Sequence, residues 1–216
     1  MTQTPSDAYR SRWLEALLPH VAFDGWTDAA AATAAKEAGL TQGEQALAAP
    51  NGVFDLIEAF FAAAEAEATA NLASEDLSGL RVPDKVKKGV LAWLTALEPN
   101  REAVRRAAAR GFLPWGAGAA AQRAWSVADM VWTAAGDTAT DYNRYSKRGL
   151  LAAVIPGIVM HWLDNPAPAD LDTYISRRLQ QVSGLGRTAG KVVGPVLDRL
   201  NALKNAGRSS GRGQES

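Results

Sequence analysis

The sequence predicts an all-α fold on three observations. Apolar residues recur at helical spacing almost everywhere, no stretch sustains the alternation of a half-buried strand, and caps, prolines and glycines punctuate the chain at intervals of one helix. With 216 residues, 47% of them hydrophobic, the chain can bury one sizeable core and divide into a small N-terminal unit and a larger helical body.

Ser6 or Asp7 opens a first helix burying Trp13, Leu14, Leu17 and Leu18, which is expected to stop near Pro19 because proline cannot donate to the preceding turn. Thr27 is the expected N-cap of a second helix, with Asp28 in its first turn and Gly39 at its end. A short third helix runs from about Thr41 to Ala49 and is ended by Pro50. Asn51 is expected to cap a longer fourth with Leu56, Ile57, Phe60, Phe61 and Ala64 on one face. Pro83 opens a fifth that aligns Val86, Val90, Trp93, Leu94 and Leu97, and Pro99 opens a sixth reaching about Arg110. Further helices are expected over Ala119 to Ala135, Asp141 to Leu163 and Asp170 to Ser183, the last two separated by Asp164-Asn165-Pro166-Ala167-Pro168.

Four regions follow: a helix-turn-helix-like unit over 1–50, a helical ligand-binding and dimerisation body over 51–183, a basic amphipathic helix over 184–207 and a disordered tail over 208–216.

The chain has no cysteine, which excludes a disulfide framework, thiol catalysis and Cys-type zinc or iron–sulfur sites. Its opening residues lack the basic start and apolar stretch of a secretory signal, so the expected location is cytoplasmic. The uncharged run Gly149 to Leu163 is fifteen residues broken by Pro156, short of the ~20 needed to span a bilayer, and is expected to be a buried helix. Net charge is zero, yet residues 1–80 carry three Lys/Arg against twelve Asp/Glu and residues 81–216 carry twenty against eleven. Such an asymmetry decides which polyanions or membranes each half attracts.

The order of a helix, a turn at Gly25, a second helix, a turn at Gly39 and a short third helix resembles the DNA-binding end of the TetR family. Between Glu37 and Leu80, however, there is no Lys or Arg. Phosphate neutralisation dominates DNA affinity, so this field repels the backbone and no nucleic-acid partner is expected. The alternative function is a TetR-type ligand-responsive transcriptional regulator.

Further along, Asp141, Arg144, Tyr145 and Arg148 fall at i, i+3, i+4 and i+7 on one helix, a pattern that fits both a solvated stripe and an interface. Trp125, Trp132, Leu150, Leu151, Val154, Ile155, Ile158, Val159 and Trp162 fit the lining of an apolar cavity and a filled core equally well. From Arg177 to Arg212 there are eight basic residues and one acidic. Within this stretch Val193, Val196, Leu197, Leu200 and Leu203 form an apolar stripe flanked by Lys191 and Lys204. A basic amphipathic helix of this kind lies in a lipid headgroup region or packs on the body, and the charge bias favours the membrane.

Enzyme readings find little support. His20 and His161 stand far apart in apolar contexts, and no HExxH, Glu-x-x-His or nucleophile-elbow serine is present. Gly184-Leu185-Gly186-Arg187-Thr188-Ala189-Gly190 misses the dinucleotide fingerprint by one position and follows no strand. No catalytic residue, metal ligand or cofactor is expected.

Leu18-Pro19-His20-Val21-Ala22-Phe23-Asp24-Gly25-Trp26-Thr27, taken with Ala135-Gly136-Asp137 and Asp141-Tyr142-Asn143-Arg144-Tyr145-Ser146-Lys147-Arg148, resembles the family of the ninth coenzyme Q biosynthesis protein. These are lipid-binding accessory factors of ubiquinone synthesis, and the resemblance runs from about Leu14 to Val182. It implies a homodimer of TetR-like fold that no longer binds DNA and that holds a polyprenylated quinone intermediate in its C-terminal body. It further implies delivery of that lipid to the membrane-bound di-iron hydroxylase of the pathway, at the inner face of the cytoplasmic membrane. The family's docking Asp, Tyr and Arg map to Asp141, Tyr145 and Arg148, and Arg144 stands where some members have Trp.

Overall fold

The computed structural model describes residues 4–109, 119–138 and 142–182, and every regular element among them is helical. Helix α1 (Pro5–Asp24) begins at a capping box in which the Thr4 side chain and Asp7 satisfy each other's backbone N–H groups. It does not stop at Pro19. That residue lies on the exposed side of the helix, where the carbonyl it leaves unbonded faces water, and continuing for another turn buries Val21 completely. Trp13, Leu14 and Leu17 are buried as expected, and Leu18 is half-buried.

Helix α2 (Asp28–Glu37) is capped by the Thr27 hydroxyl, which accepts from the Ala30 N–H. It ends in a Schellman turn: Gly39 takes φ +64°, its N–H donates to the Lys36 carbonyl, and the Leu40 N–H donates to Ala35. Helix α3 (Gln42–Ala48) opens with a second capping box, Thr41 with Glu44. Helix α4 (Val53–Ala73) starts at Gly52 rather than Asn51. The Asn51 N–H and side-chain amide both donate to Asp55, so this residue is spent just outside the helix.

Helix α5 (Val82–Leu97) leads through a 3-10 turn (Glu98–Asn100) that contains Pro99 into α6 (Arg101–Ala109). The chain continues in α7 (Ala119–Ala134), α8 (Tyr142–Leu163) and α9 over 168–182. Pro168 occupies the first turn of α9, where its missing N–H is not needed.

The first three helices form a unit around Trp13, whose indole N–H donates to the Ala31 carbonyl at 2.8 Å. Trp26 ties that unit to the body. Its side chain is fully buried, donates to the Ala103 carbonyl at 2.8 Å and packs against Phe60. The body is built on α4, α5 and α7, which pack on one another, with α8 laid along α7. Gly89 on α5 lets α7 come close, because a Cβ there would stand 3.0 Å from a Val131 methyl. Helix α9 joins through buried Ile175, the Lys87–Asp172 ion pair and a Tyr174 hydroxyl that donates to the Gly157 carbonyl.

No single described helix is long and apolar enough to cross a membrane. The uncharged stretch of α8 buries Leu151, Ile155, Ile158, Val159, Trp162 and Leu163 within the body.

Candidate functional site

The turn between α7 and α8 explains the spacing of the Ala135-Gly136-Asp137 and Tyr145-Ser146-Lys147-Arg148 motifs. Gly136 ends α7 with φ +82°, a conformation that L side chains rarely adopt. Its N–H donates to the Thr133 carbonyl, and the Asp137 N–H to that of Trp132. The Asp137 carboxylate, 7% exposed, is thereby brought to α8, where it accepts from Lys147 Nζ at 2.8 Å and Arg148 Nη1 at 2.9 Å. Asp129, two turns earlier on α7, accepts from Arg148 Nε and from Arg144 Nη2. Lys147 also lies over the Trp132 ring, and the Trp132 indole donates to the Lys147 carbonyl at 3.2 Å.

Burial works to raise the Asp137 pKa, but the hydrogen bonds and charges of Lys147 and Arg148 outweigh it and hold this carboxyl below its ordinary value. Burial likewise opposes the Arg148 charge, and the two aspartates more than compensate.

Arg148 is therefore not a residue of the exposed face. It is 2% exposed, held against α7 by the carboxylates of Asp129 and Asp137. Tyr145 is 62% exposed, and its ring stacks on Trp125 of α7 at 6.1 Å between centroids. Arg144 is partly exposed beside it, and Asp141 lies outside the described residues. Tyr145 of α8 and Trp125 of α7 thus offer solvent an aromatic pair with an arginine at its edge.

A second buried ion cluster pins α7 to α4. Arg123 donates to Glu65 at 2.6 Å and to the Glu58 carboxylate, and it lies over the Phe61 ring; the Ser126 hydroxyl donates to the other Glu65 oxygen. Between these helices runs an open groove of about 420 Å³ bordered by Glu65, Ala66, Thr69, Leu72, Ala73, Ser126, Asp129, Met130, Thr133 and Ala134.

The apolar residues expected to line a lipid cavity have other surroundings. Leu151, Ile155, Ile158 and Trp162 are filled core, with the Trp162 indole donating to Glu98 at 3.0 Å. Trp132 and Val154 are half-buried at the edge of that core, and Trp125 stands at the surface. None of these seven borders the groove. The expected membrane-contacting residues, Lys191, Val193, Val196, Leu197, Leu200, Leu203 and Lys204, lie outside the described residues, as does the tail from 208.

The two histidines make separate contacts. His20 pairs with Glu37 at 2.8 Å, whereas His161 stacks on the Tyr174 ring with centroids 4.0 Å apart. The ion-pairing roles of Asp129, Asp137, Glu65 and Arg123 escaped sequence reasoning. Arg123 did carry a signal: no acidic residue stands three or four positions away on its helix, so its counter-charge has to come from another element.

Fold and site together define an all-α protein whose α7–α8 hairpin is locked by buried ion pairs and presents an exposed aromatic pair. Residues 117–186, which contain that hairpin, match the COQ9 family model. The chain is 28% identical over 190 residues to the ubiquinone biosynthesis protein COQ9, mitochondrial, of Homo sapiens, a match that covers 84% of this chain and 59% of that protein. The proteins of the same name from Bos taurus and Rattus norvegicus match at the same identity, with 59% and 61% of their lengths covered. The chain thus spans about three fifths of the length of these curated relatives.

Proposed function

We propose that this chain is a lipid-binding accessory protein of ubiquinone biosynthesis, one that takes up a polyprenylated quinone intermediate and presents it to the membrane-bound di-iron hydroxylase of the pathway. The reading rests above all on the similarity, across 84% of the chain, to proteins named for ubiquinone biosynthesis. On this reading the chain catalyses nothing itself. Burial of the isoprenoid tail supplies the driving force at roughly 25 cal/mol per Å². Since Leu151, Ile155, Ile158 and Trp162 are packed against neighbours, the tail enters where half-buried Trp132 and Val154 mark the edge of the core.

The hydroxylase docks on Tyr145, Trp125 and Arg144, together with Asp141. An exposed aromatic pair with an arginine beside it has the composition of an interface hot spot. Arg148 acts through position, because its two aspartates fix the face that carries Tyr145. The working form is a TetR-like homodimer, supported by the helix order α1 to α3 and by the uncharged α8 surface at Ala153, Pro156 and Met160. It associates peripherally with the inner face of the cytoplasmic membrane.

Mass spectrometry of lipid extracted from the purified protein tests uptake. A recovered polyprenyl quinone precursor is the expected result, and repeated recovery of empty protein that also ignores liposomes refutes it. Tyr145→Ala with Trp125→Ala should abolish hydroxylase capture and leave lipid content unchanged; loss of both, or of neither, overturns the separation of sites. Salt-dependent binding to its own promoter DNA without lipid would make the chain a regulator instead, against the absence of any Lys or Arg between Glu37 and Leu80.

A further inference from the structure

The α7–α8 hairpin does not balance its own charge. Among the described residues its network holds three cations, Arg144, Lys147 and Arg148, against two carboxylates, Asp129 and Asp137. Asp141, three positions before Arg144, lies outside the described residues and does not enter this count. Lys147 and Arg148 take up Asp137 at 2.8 and 2.9 Å, and Arg148 reaches Asp129 as well through Nε. Arg144 comes last. Its Nη2 stands 3.3 Å from Asp129 Oδ1, the same oxygen that accepts from Arg148, and this is the longest ion contact of the network. The carboxylates across the groove give no relief, because Glu58 and Glu65 of α4 are engaged by Arg123 and Ser126.

The two arginines that share Asp129 differ in exposure. Arg148 is enclosed, whereas 43% of the Arg144 side chain faces solvent. A guanidinium carries five N–H donors in a planar fork, and solvent satisfies those that Asp129 leaves over. The surplus positive charge therefore sits on the exposed member.

Position gives that charge a role. Arg144 immediately precedes Tyr145, and Asp129 follows Trp125 by four positions, so the loosely held guanidinium lies beside the stacked aromatic pair. Around Trp125 the exposed residues one turn earlier on α7, Ala121 and Gln122, are uncharged, and so is Gly149 of α8 against its ring. A partner that covers Tyr145 and Trp125 also takes water away from Arg144. Desolvating a charge without a counter-charge is costly, and Asp129 is already shared. An apolar partner face strands the guanidinium and a basic one repels it, whereas a carboxylate can receive it in bidentate fashion.

We infer that the partner docking on the Tyr145–Trp125 pair presents an aspartate or glutamate to Arg144, and that this ion pair selects the partner. The inference rests on the docking proposed above and adds the chemistry of the opposing surface. Stacked rings supply contact area that many surfaces can match; the surplus charge discriminates among them.

Capture of the purified di-iron hydroxylase by the immobilised full chain, followed by surface plasmon resonance at low and at high salt, tests this. Wild-type capture should weaken as salt rises. Arg144→Lys, which keeps the charge, should stay within a few-fold of wild type. Arg144→Met should weaken capture roughly 30-fold and flatten its salt dependence, a change that a merely structural role would not produce, and Arg144→Glu should weaken it further. Arg144→Trp separates two kinds of surface, since it loses affinity against a carboxylate and gains affinity against an apolar face. Capture by Arg144→Met or Arg144→Trp as tight as that of wild type, or wild-type capture indifferent to salt, overturns the inference and leaves the docking surface standing. No capture by the wild-type chain overturns the docking itself, and the inference with it.

Discussion

The N-terminal three helices and the α7–α8 hairpin solve the same problem in opposite ways. In the first unit the fully buried ties are uncharged groups, while His20 with Glu37 and Arg10 with the Ala48 carbonyl join the helices nearer the surface. Trp13 and Trp26 donate to backbone carbonyls from buried positions, alanines fill the interface between α1 and α2, and the acidic residues stay outside. In the hairpin the ties are charges, with Arg148 almost wholly enclosed by Asp129, Asp137 and the helix itself. Apolar contacts tolerate small shifts, whereas a buried guanidinium between two carboxylates holds one register and is costly if disturbed. The charge-locked part lies inside the segment that matches the COQ9 family model, and it carries the exposed aromatic pair.

The sharpest way to break this contrast is Arg148→Ala, which leaves the buried Asp137 carboxylate with Lys147 as its remaining cationic partner and should cost about 3 kcal/mol in urea unfolding. Arg148→Met combined with Asp137→Asn should recover most of that loss. If it does not, the hairpin is held by packing like the N-terminal unit. The same pair sets a pH dependence. Because the folded Asp137 pKa is depressed, its stabilisation is complete above the ordinary carboxylate value of about 3.9 and is lost as pH falls through the lower folded value. Wild-type stability should therefore fall more steeply than that of Arg148→Ala in that acid window, and parallel curves would refute the assignment.

Next in size is Gly89→Ala. Its methyl would meet Val131 at 3.0–3.3 Å, an overpacking worth about 1–3 kcal/mol, and Val131→Ala in the same chain should relieve it. The smallest effect belongs to the uncharged unit. Thr41→Ala removes the α3 cap and should lower the unfolding free energy by ~1 kcal/mol.

The helices were legible because each is specified locally. Thr27 and Thr41 cap as their side-chain chemistry dictates, Gly39 takes the left-handed turn, and the apolar faces of α4 and α5 are buried residue for residue. Where reading failed, a contact from outside the local window decided. Pro19 fails to end α1 because burial of Val21 rewards another turn, and Asn51 yields the cap because Asp55 claims its N–H. The site was half legible for the same reason. Asp141, Arg144, Tyr145 and Arg148 do share one helix, but which of them faces out depends on Asp129 and Asp137, nineteen and eleven residues before Arg148. Sequence spacing orders residues around an axis; only the neighbouring helix says where zero lies.

The cation-free stretch through α3 and α4 has a practical side as well. Trypsin has nothing to cut after Lys36 until Arg81, and amine-directed reagents or acyl-transferring enzymes find no side chain there to modify. Peptide maps and labelling patterns will therefore be silent about this face of the molecule. Reporting on it calls for chemistry aimed at carboxylates, or for a cysteine placed there on purpose.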